Sequence, residues 1–359
     1  MKFNNLAKLG FDGPSDDEPP KRLLATAFTK FNTDVLRTGG IPYGRVVQIW
    51  GEEHSGKTLL AMHLVAMAQR DNPSKAAVYV DTEMTFDKAW AKLNGIDLER
   101  LYLVQSNDVD STFGSVLKAI ESGEICIVVL DSIGAVNESN AKAGEAFDTK
   151  VTKGVVEEKH KTIPGLFAKH MTKFVKFLVP TIKSHDVLFV AVNQIRDKIG
   201  VLYGPTEDYP GGRAWKHSIS LSMRTRKIRD IKDSPEQPAY GVTVAINVVK
   251  NKQAPLGKTD DDSHLNFYFT ADGIEKAQYA SLYNDAITHG VLVGKGAWIY
   301  LVNSKKEQVK SWNGKSRCQE ALAQDESLRN QVAEFLKEVM NGQSTDEVPE
   351  GILDESEGD

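Results

Sequence analysis

Apolar runs recur along the chain, separated by stretches with helical periodicity. "RVVQIW" (45–50) precedes a helical stretch over 57–70, and "AAVYVD" (76–81) precedes another over about 85–94. "LYLV" (101–104) leads into about 110–121, and "ICIVVLD" (125–131) follows. After a long polar insertion, a helix over about 164–184 is followed by "VLFVAV" (187–192). Strands alternating with helices predict a mostly parallel, doubly wound α/β sheet with ligands at the strands' C-terminal ends. "SISLSMR", "GVTVAINVVK" and "HLNFYF" then follow without long helices, which predicts antiparallel strands added at one edge. Residues 275–340 read as a small α/β domain ending in the helix "LRNQVAEFLKEVM", and no internal repeat is visible.

The ends differ from this body. "DGPSDDEPPKR" (12–22) is a Pro- and acid-rich linker, so the expected organisation is an N-terminal arm over 1–35, a core over 36–274, the small domain over 275–340 and an acidic tail over 341–359. The whole chain of 359 residues carries a net charge of −5. The tail holds seven acids and no Lys or Arg, and without them the balance is +2. A tail of this kind is either a disordered solvated extension or a competitor with a polyanion for the basic surface of the body.

The longest apolar runs are six residues, far below the ~20 that a membrane span needs, so no membrane partner is expected. The start "MKFNNLAKLGFDG" has no apolar signal region. Cys126 lies in a strand-like run and Cys318 in a polar stretch, which reads as two reduced thiols in a cytoplasmic protein.

The chemistry begins at "GEEHSGKT", Gly51, Glu52, Glu53, His54, Ser55, Gly56, Lys57 and Thr58. A strand, then G-x-x-x-x-G-K-T, then a helix is the context a phosphate-binding P-loop requires. The glycines let backbone N–H groups converge on phosphate, and the helix N-terminus adds partial positive charge. Lys57 would reach the β- and γ-phosphates of a nucleoside triphosphate, and the Thr58 hydroxyl would ligate Mg2+. A second metal group is needed, and Asp131, at the tip of "ICIVVLDS", has the Walker B pattern. Hydrolysis also needs a base to activate water. "VYVDTE" offers Asp81 and Glu83, of which Glu83 lies beyond the strand and is the better placed. Spacing alone equally allows a helix N-cap role for this region.

"TGGIPYGRVVQIWGEEHSGKT" (38–58), "VYVDTEMTFDKAWAKLNGID" (78–97) and "VNQIRDKIGVLYGPTEDYPGGRAWKHSISLSMRTRKI" (192–228) together resemble the RecA family of homologous-recombination ATPases. "VVKNKQAPL" and "GAWIYL" are similar to later segments of that family, and the resemblance spans roughly 36–340. It implies a RecA-like P-loop ATPase core. By position, it implies that Glu83 activates water and that Asp87 and Trp90 contact adenine, with Trp90 standing where a tyrosine is usual. The bare pattern reads Trp90 as a helix residue facing the core. Asn193 and Gln194 match a strand-end pair whose glutamine senses the γ-phosphate.

The loop at about 195–212 matches the family's second DNA-binding loop. Arg196, Lys198 and Arg213 would neutralise phosphates, Ile199 would wedge between bases, and Gly211 and Gly212 lie at its close. Composition alone fits an ordinary surface loop. Lys250 and Lys252 match a lysine pair that reaches a neighbouring subunit's ATP; spacing alone reads them as solvated lysines at a strand end.

Three regions depart from the family pattern. Residues 21–31, "KRLLATAFTKF", have Leu23, Leu24, Ala27 and Phe28 along one face and are the candidate for a subunit-docking helix. The first DNA loop, about 137–163, is longer than expected, and His217 replaces an interface aromatic. Such divergence suits a phage- or plasmid-type member. The expected activity is ATP-driven filament formation on single-stranded DNA, followed by pairing and strand exchange with homologous duplex. A hexameric helicase on the same core, or a mediator that binds ATP without hydrolysing it, are the alternatives.

Overall fold

The computed structural model describes residues 22–106, 108–135, 151–152, 155–156, 166–197, 207–256, 263–270 and 272–342. The arm over 1–21, nearly all of the first DNA loop and the tail from 343 onward lie outside the described residues.

A short antiparallel pair opens the chain, β1 (Leu23–Leu24) with β2 (Ile41–Pro42). The alternating part follows: β3 (Val46–Gly51), α1 (Lys57–Asp71), β4 (Ala76–Asp81), α2 (Lys88–Leu93), β5 (Leu101–Gln105), α3 (Val109–Glu121) and β6 (Ile125–Asp131). The polar insertion contains β7 (Val151–Thr152) and β8 (Val155–Val156), paired with each other. Then come α4 (Leu166–His185), β9 (Leu188–Gln194), β10 (Arg196–Asp197), β11 (Glu207–Asp208), α5 (Gly212–Ser218), β12 (Leu221–Ile231), β13 (Gly241–Asn251) and β14 (His264–Tyr268). Eight strands form one sheet in the order β14-β13-β12-β3-β9-β6-β4-β5. From β12 to β5 every neighbouring pair is parallel; β13 and β14 join antiparallel at the edge. The expected doubly wound sheet with an antiparallel edge is the one observed.

Period-two alternation divides the strands between two cores. Val47, Ile49, Ala77, Tyr79, Ile127 and Val129 face the α1 side. Val46, Val78, Val80, Val128 and Leu130 face α3, α4 and α5, where Phe113 stacks on Phe174 at 4.0 Å. Because the sheet is covered on both faces, its central strands are apolar almost throughout. The last elements are α6 (Gly273–Thr288), β15 (Leu292–Lys295), β16 (Trp298–Val302), β17 (Gln308–Asn313), α7 (Lys315–Gln324) and α8 (Glu326–Gly342). They enclose their own core of Tyr283, Leu292, Leu301, Cys318, Leu322 and Val332. Cys126 and Cys318 are free and buried, and burial pushes both thiols up to about 11.

The helix expected over residues 21–31 does not form over 22–28; helical backbone begins only at Thr29 and continues as a π-helix over Phe31–Val35. Leu23 and Leu24 form β1, and the chain then turns. Asn32 accepts from the Thr26 amide at 3.1 Å and donates to the Thr26 carbonyl at 3.0 Å, local bonds that compete with helix formation. The apolar face is real, but it packs on the chain's own core. Leu24, Ala27, Phe28 and Phe31 are buried there, with Phe28 against Phe267 at 5.3 Å. Arg22 ties the segment down through Asp71 and Asp186, with its guanidinium over the Tyr43 ring.

Candidate nucleotide and DNA site

The loop between β3 and α1 depends on two close approaches. A Cβ on Gly51 would stand 2.6 Å from Ser55 Oγ and from the Thr225 carbonyl oxygen. One on Gly56, at φ +93°, would stand 2.7 Å from Val244 Cγ2. Only glycine lets the loop lie this close to β12 and β13. Ser55 Oγ is 2.8 Å from Thr225 Oγ1, which pins the loop laterally. Glu52, Glu53 and His54 are exposed, so at these positions the loop offers backbone to a ligand. Lys57 Nζ donates to the Glu52 carbonyl at 2.6 Å. Burial lowers the Lys57 pKa against the pull of Asp131, Glu83, Glu53 and Glu52.

Three carboxylates meet at the ends of β4 and β6, where Asp81 is in register with Asp131. Thr58 Oγ1 donates to Asp131 Oδ2 at 2.9 Å, which leaves the hydroxyl's lone pairs free to face a cation. Burial raises the Asp131 pKa; hydrogen bonds from Tyr79 and Thr58 oppose the rise, and the charges of Glu83 and Asp81 add to it. Glu83 Oε1 accepts from Ser132 Oγ at 2.7 Å and from Gln194 Nε2 at 3.1 Å. Asp81 Oδ2 accepts from the Phe86 amide at 2.9 Å and from Gln105 Nε2 at 3.2 Å, so Asp81 shapes the turn into α2. The two acids that the sequence offered as bases thus have different partners.

Lys57 and Asp131 fit a magnesium nucleotide. Burial disfavours both charged forms, and a polyphosphate on the first with a divalent cation on the second relieves both penalties. Hydroxyl and carboxylate oxygens are the hard donors Mg2+ takes, one or two from protein with the rest from phosphate and water. No group of three His, Cys, Asp or Glu placed to hold a metal ion occurs among the described residues.

A cleft of about 390 Å³ opens beside the loop, bounded by His54, Lys57, Thr58, Trp90, Lys227 and Phe269. Trp90 is half-buried and packs on Phe269, with ring centroids 4.8 Å apart. Asp87 caps α2, its Oδ1 accepting from the amides of Ala89 at 2.7 Å and Trp90 at 3.0 Å. The cap and the cleft wall are one construction, because the cap fixes the helix that carries the indole.

Gln194 ends β9 level with Gly51 and stands two residues before Arg196. The main chains of Arg196 and Asp197 pair with Asp208 and Glu207, closing a stem; Lys198 and Ile199 lie outside the described residues. The far side of the stem is anchored to β9 and β3. Asn193 Nδ2 donates to the Pro210 carbonyl at 2.9 Å, and Trp215 Nε1 donates to Gln48 Oε1 at 2.6 Å. Trp50 contacts Tyr209 at 5.4 Å between centroids. Gly211, at φ +122°, passes so close to Trp215 that a Cβ there would meet Cδ1 at 2.7 Å, and Gly212 starts α5 at φ +73°. Arg213 is exposed on the first turn of α5.

Lys250 and Lys252 are not brought to the phosphate loop of their own chain. Lys250 Nζ donates to the Lys216 carbonyl at 2.7 Å and Lys252 Nζ to the His217 carbonyl at 2.5 Å. Both cap the C-terminus of α5, where cations suit the unsatisfied carbonyls. Burial lowers the Lys250 pKa, and the charge of Lys252 adds to the effect. The side chain of His217 is exposed.

Sequence reasoning passed over Tyr79, Gln48 and Trp215, and gave Ser132 no role. Gln48 and Tyr79 had a signal, each a hydrogen-bonding side chain inside an otherwise apolar strand run, where burial demands a partner.

A P-loop, a strand-tip carboxylate and a second acid on one edge of a doubly wound sheet define a nucleotide-binding α/β protein. A model of the RecA N-terminal domain matches residues 25–268. The RecA protein of Chlorobaculum tepidum is 33% identical over 310 residues, 86% of this chain and 82% of the relative. That of Thermotoga maritima is 30% identical over 300 residues, 84% and 78%. That of Staphylococcus epidermidis is 30% identical over 345 residues, 94% and 92%. The chain belongs to the RecA family. No helix among the described residues is long and apolar enough to cross a membrane.

Proposed function

We propose that the protein is a cytoplasmic DNA recombinase that binds ATP and Mg2+, polymerises on single-stranded DNA and exchanges strands with homologous duplex. One observation carries the reading. Gln194 bonds the carboxylate of Glu83 at 3.1 Å and sits two residues before Arg196, so the hydrolytic acid and the DNA loop share one strand end.

In this reading Lys57 and the loop amides would hold the phosphates, and Thr58 and Asp131 would hold Mg2+, which would supply positive charge against the phosphates. Glu83 takes the proton of the attacking water as the water oxygen bonds the γ-phosphorus and the bond to the β-phosphate oxygen breaks. Ser132 and Gln194 aim that carboxylate. Gln194 has two amide protons and can trade its bond to Glu83 for one to a γ-phosphate oxygen, carrying nucleotide state into the loop. Arg196, Lys198, Ile199, Gly211, Gly212 and Arg213 form the DNA contact, and Lys250 and Lys252 serve the ATP of an adjacent copy.

The test combines ATP turnover, with and without single-stranded DNA, and electron microscopy of the same mixtures. DNA-stimulated turnover with open helical filaments is expected. Closed rings would point to the helicase reading, and nucleotide binding without turnover to an assembly switch.

A further inference from the structure

Tyr79 is 1% exposed, in the middle of β4, and its hydroxyl donates to Asp131 Oδ2 at 2.7 Å. The geometry follows from the sheet. Tyr79 is in register with Val129 on the adjacent β6, so Asp131 is its diagonal neighbour two residues on, on the same face. Reaching a diagonal neighbour on the adjacent strand takes a long side chain, which a tyrosine supplies and a short hydroxyl side chain does not. The oxygen that Tyr79 holds is the one that accepts from Thr58 Oγ1 at 2.9 Å. Phe86 packs on the tyrosine ring at 4.8 Å, fixing its direction. A phenylalanine would fill the same space, so packing accounts for the ring and leaves the hydroxyl to be explained.

We infer that Tyr79 is a positioning residue for the divalent cation: its hydroxyl orients the Asp131 carboxylate so that Asp131 and Thr58 present oxygens to the metal together. Outer partners of metal-binding carboxylates act in this way, and their loss typically weakens metal binding 10–100-fold. The inference rests on the proposed metal role of Asp131.

Tyr79→Phe removes only the hydroxyl. The probe is a fluorescent ATP analogue, titrated in EDTA and then at fixed nucleotide over rising Mg2+, with thermal melting recorded alongside. In EDTA the variant should bind the analogue within about twofold of wild type, because the P-loop contacts are intact. The Mg2+ midpoint should rise about tenfold. Incorporating 3-fluorotyrosine at position 79, which keeps ring and donor, should retain the wild-type midpoint and separates a lost hydroxyl from a perturbed fold. An unchanged Mg2+ midpoint in Tyr79→Phe, or an equal loss of analogue affinity in EDTA and in Mg2+, would overturn the assignment. A wild-type protein whose nucleotide binding ignores Mg2+ would remove the metal role of Asp131 itself.

Discussion

At one end of the central sheet, β3, β4, β6 and β9 finish on a phosphate loop with Asp131 and Glu83 gathered around it. Toward the other end, β13 runs out on Lys250 and Lys252, whose amines rest on the last carbonyls of α5. Lys250 is in register with Ser222, three residues before the Thr225 that neighbours Gly51, which sets the pair back by about 10 Å along the strands. The acidic end has Lys57 as its nearby cation and would gather phosphates; the basic end has cations and no phosphate loop. Each lacks what the other offers, and head-to-tail stacking of copies is the arrangement that joins unlike ends. The lysines' present partners add a condition. Turning toward a neighbour's ATP uncaps α5, the helix that closes the DNA-loop stem, so subunit contact and loop state would change together.

The strongest way to break this comparison is to remove the basic end. Lys250→Ala with Lys252→Ala should lower DNA-stimulated turnover by about 10³-fold, the lower end of what a trans cation supplies. Mixed with Lys57→Ala protein, which lacks the other half, some activity should return at the mixed interfaces. Co-assembled mixtures no more active than the sum of their parts would place the lysines outside the reaction.

At the acidic end, Glu83→Gln keeps the acceptor for Ser132 and loses the base. Turnover should fall by about 10²–10⁴ while ATP-dependent DNA binding persists. Hydrolysis near the wild-type rate would leave Asp81 to be reconsidered, although its Oδ2 is already engaged by Phe86 and Gln105.

The two ends were not equally legible in the sequence. The sheet was, because its strands and helices are local patterns of period 2 and 3.6 with Gly51 and Gly56 between two of them. The positions of the phosphate loop and its carboxylates were, because each stands at or just past the tip of its own strand, β3, β4 or β6. Residues 21–31 were legible only in part: the stripe marks the buried face, but helical backbone starts at Thr29, and over 22–28 the strand β1 and the Thr26–Asn32 bonds take its place. Contacts between elements were invisible: that Tyr79 meets Asp131 depends on strand register, and that Gln48 meets Trp215 depends on how α5 packs on β3, which no single element states.

Trp90 sharpens the comparison at the cleft wall. If the indole stacks on the base, Trp90→Ala should weaken nucleotide binding by about 1 kcal/mol, roughly fivefold, and Trp90→Tyr should recover most of it. Calorimetric titration of ATP against CTP tests this, since a stacked purine should lose more than a pyrimidine. Equal losses for both nucleotides would return Trp90 to the role of packing on Phe269.

The smallest effect is expected where the two ends communicate, at Gln48. Its Oε1 accepts from Trp215 Nε1 at 2.6 Å, while its Nε2 is buried with no hydrogen-bond partner. Trp215 is fully buried, so the indole N–H has no water to fall back on. Gln48→Leu strands that N–H but also removes an unpaired amide proton pair, and the two consequences oppose each other. Trp215→Phe leaves the Gln48 oxygen only the long 3.5 Å bond from Asn193 Nδ2 and loses ring volume. A double-mutant cycle cancels the packing and leaves the bond, which should be worth on the order of 1 kcal/mol. Amide exchange over residues 212–218 is the suitable readout, because it reports local opening of the stem rather than melting of the separate C-terminal core. A coupling near zero would mean that the stem is held by the Asn193–Pro210 bond and the Trp50–Tyr209 contact instead. In that case β3 would reach the stem through Trp50 rather than through Gln48.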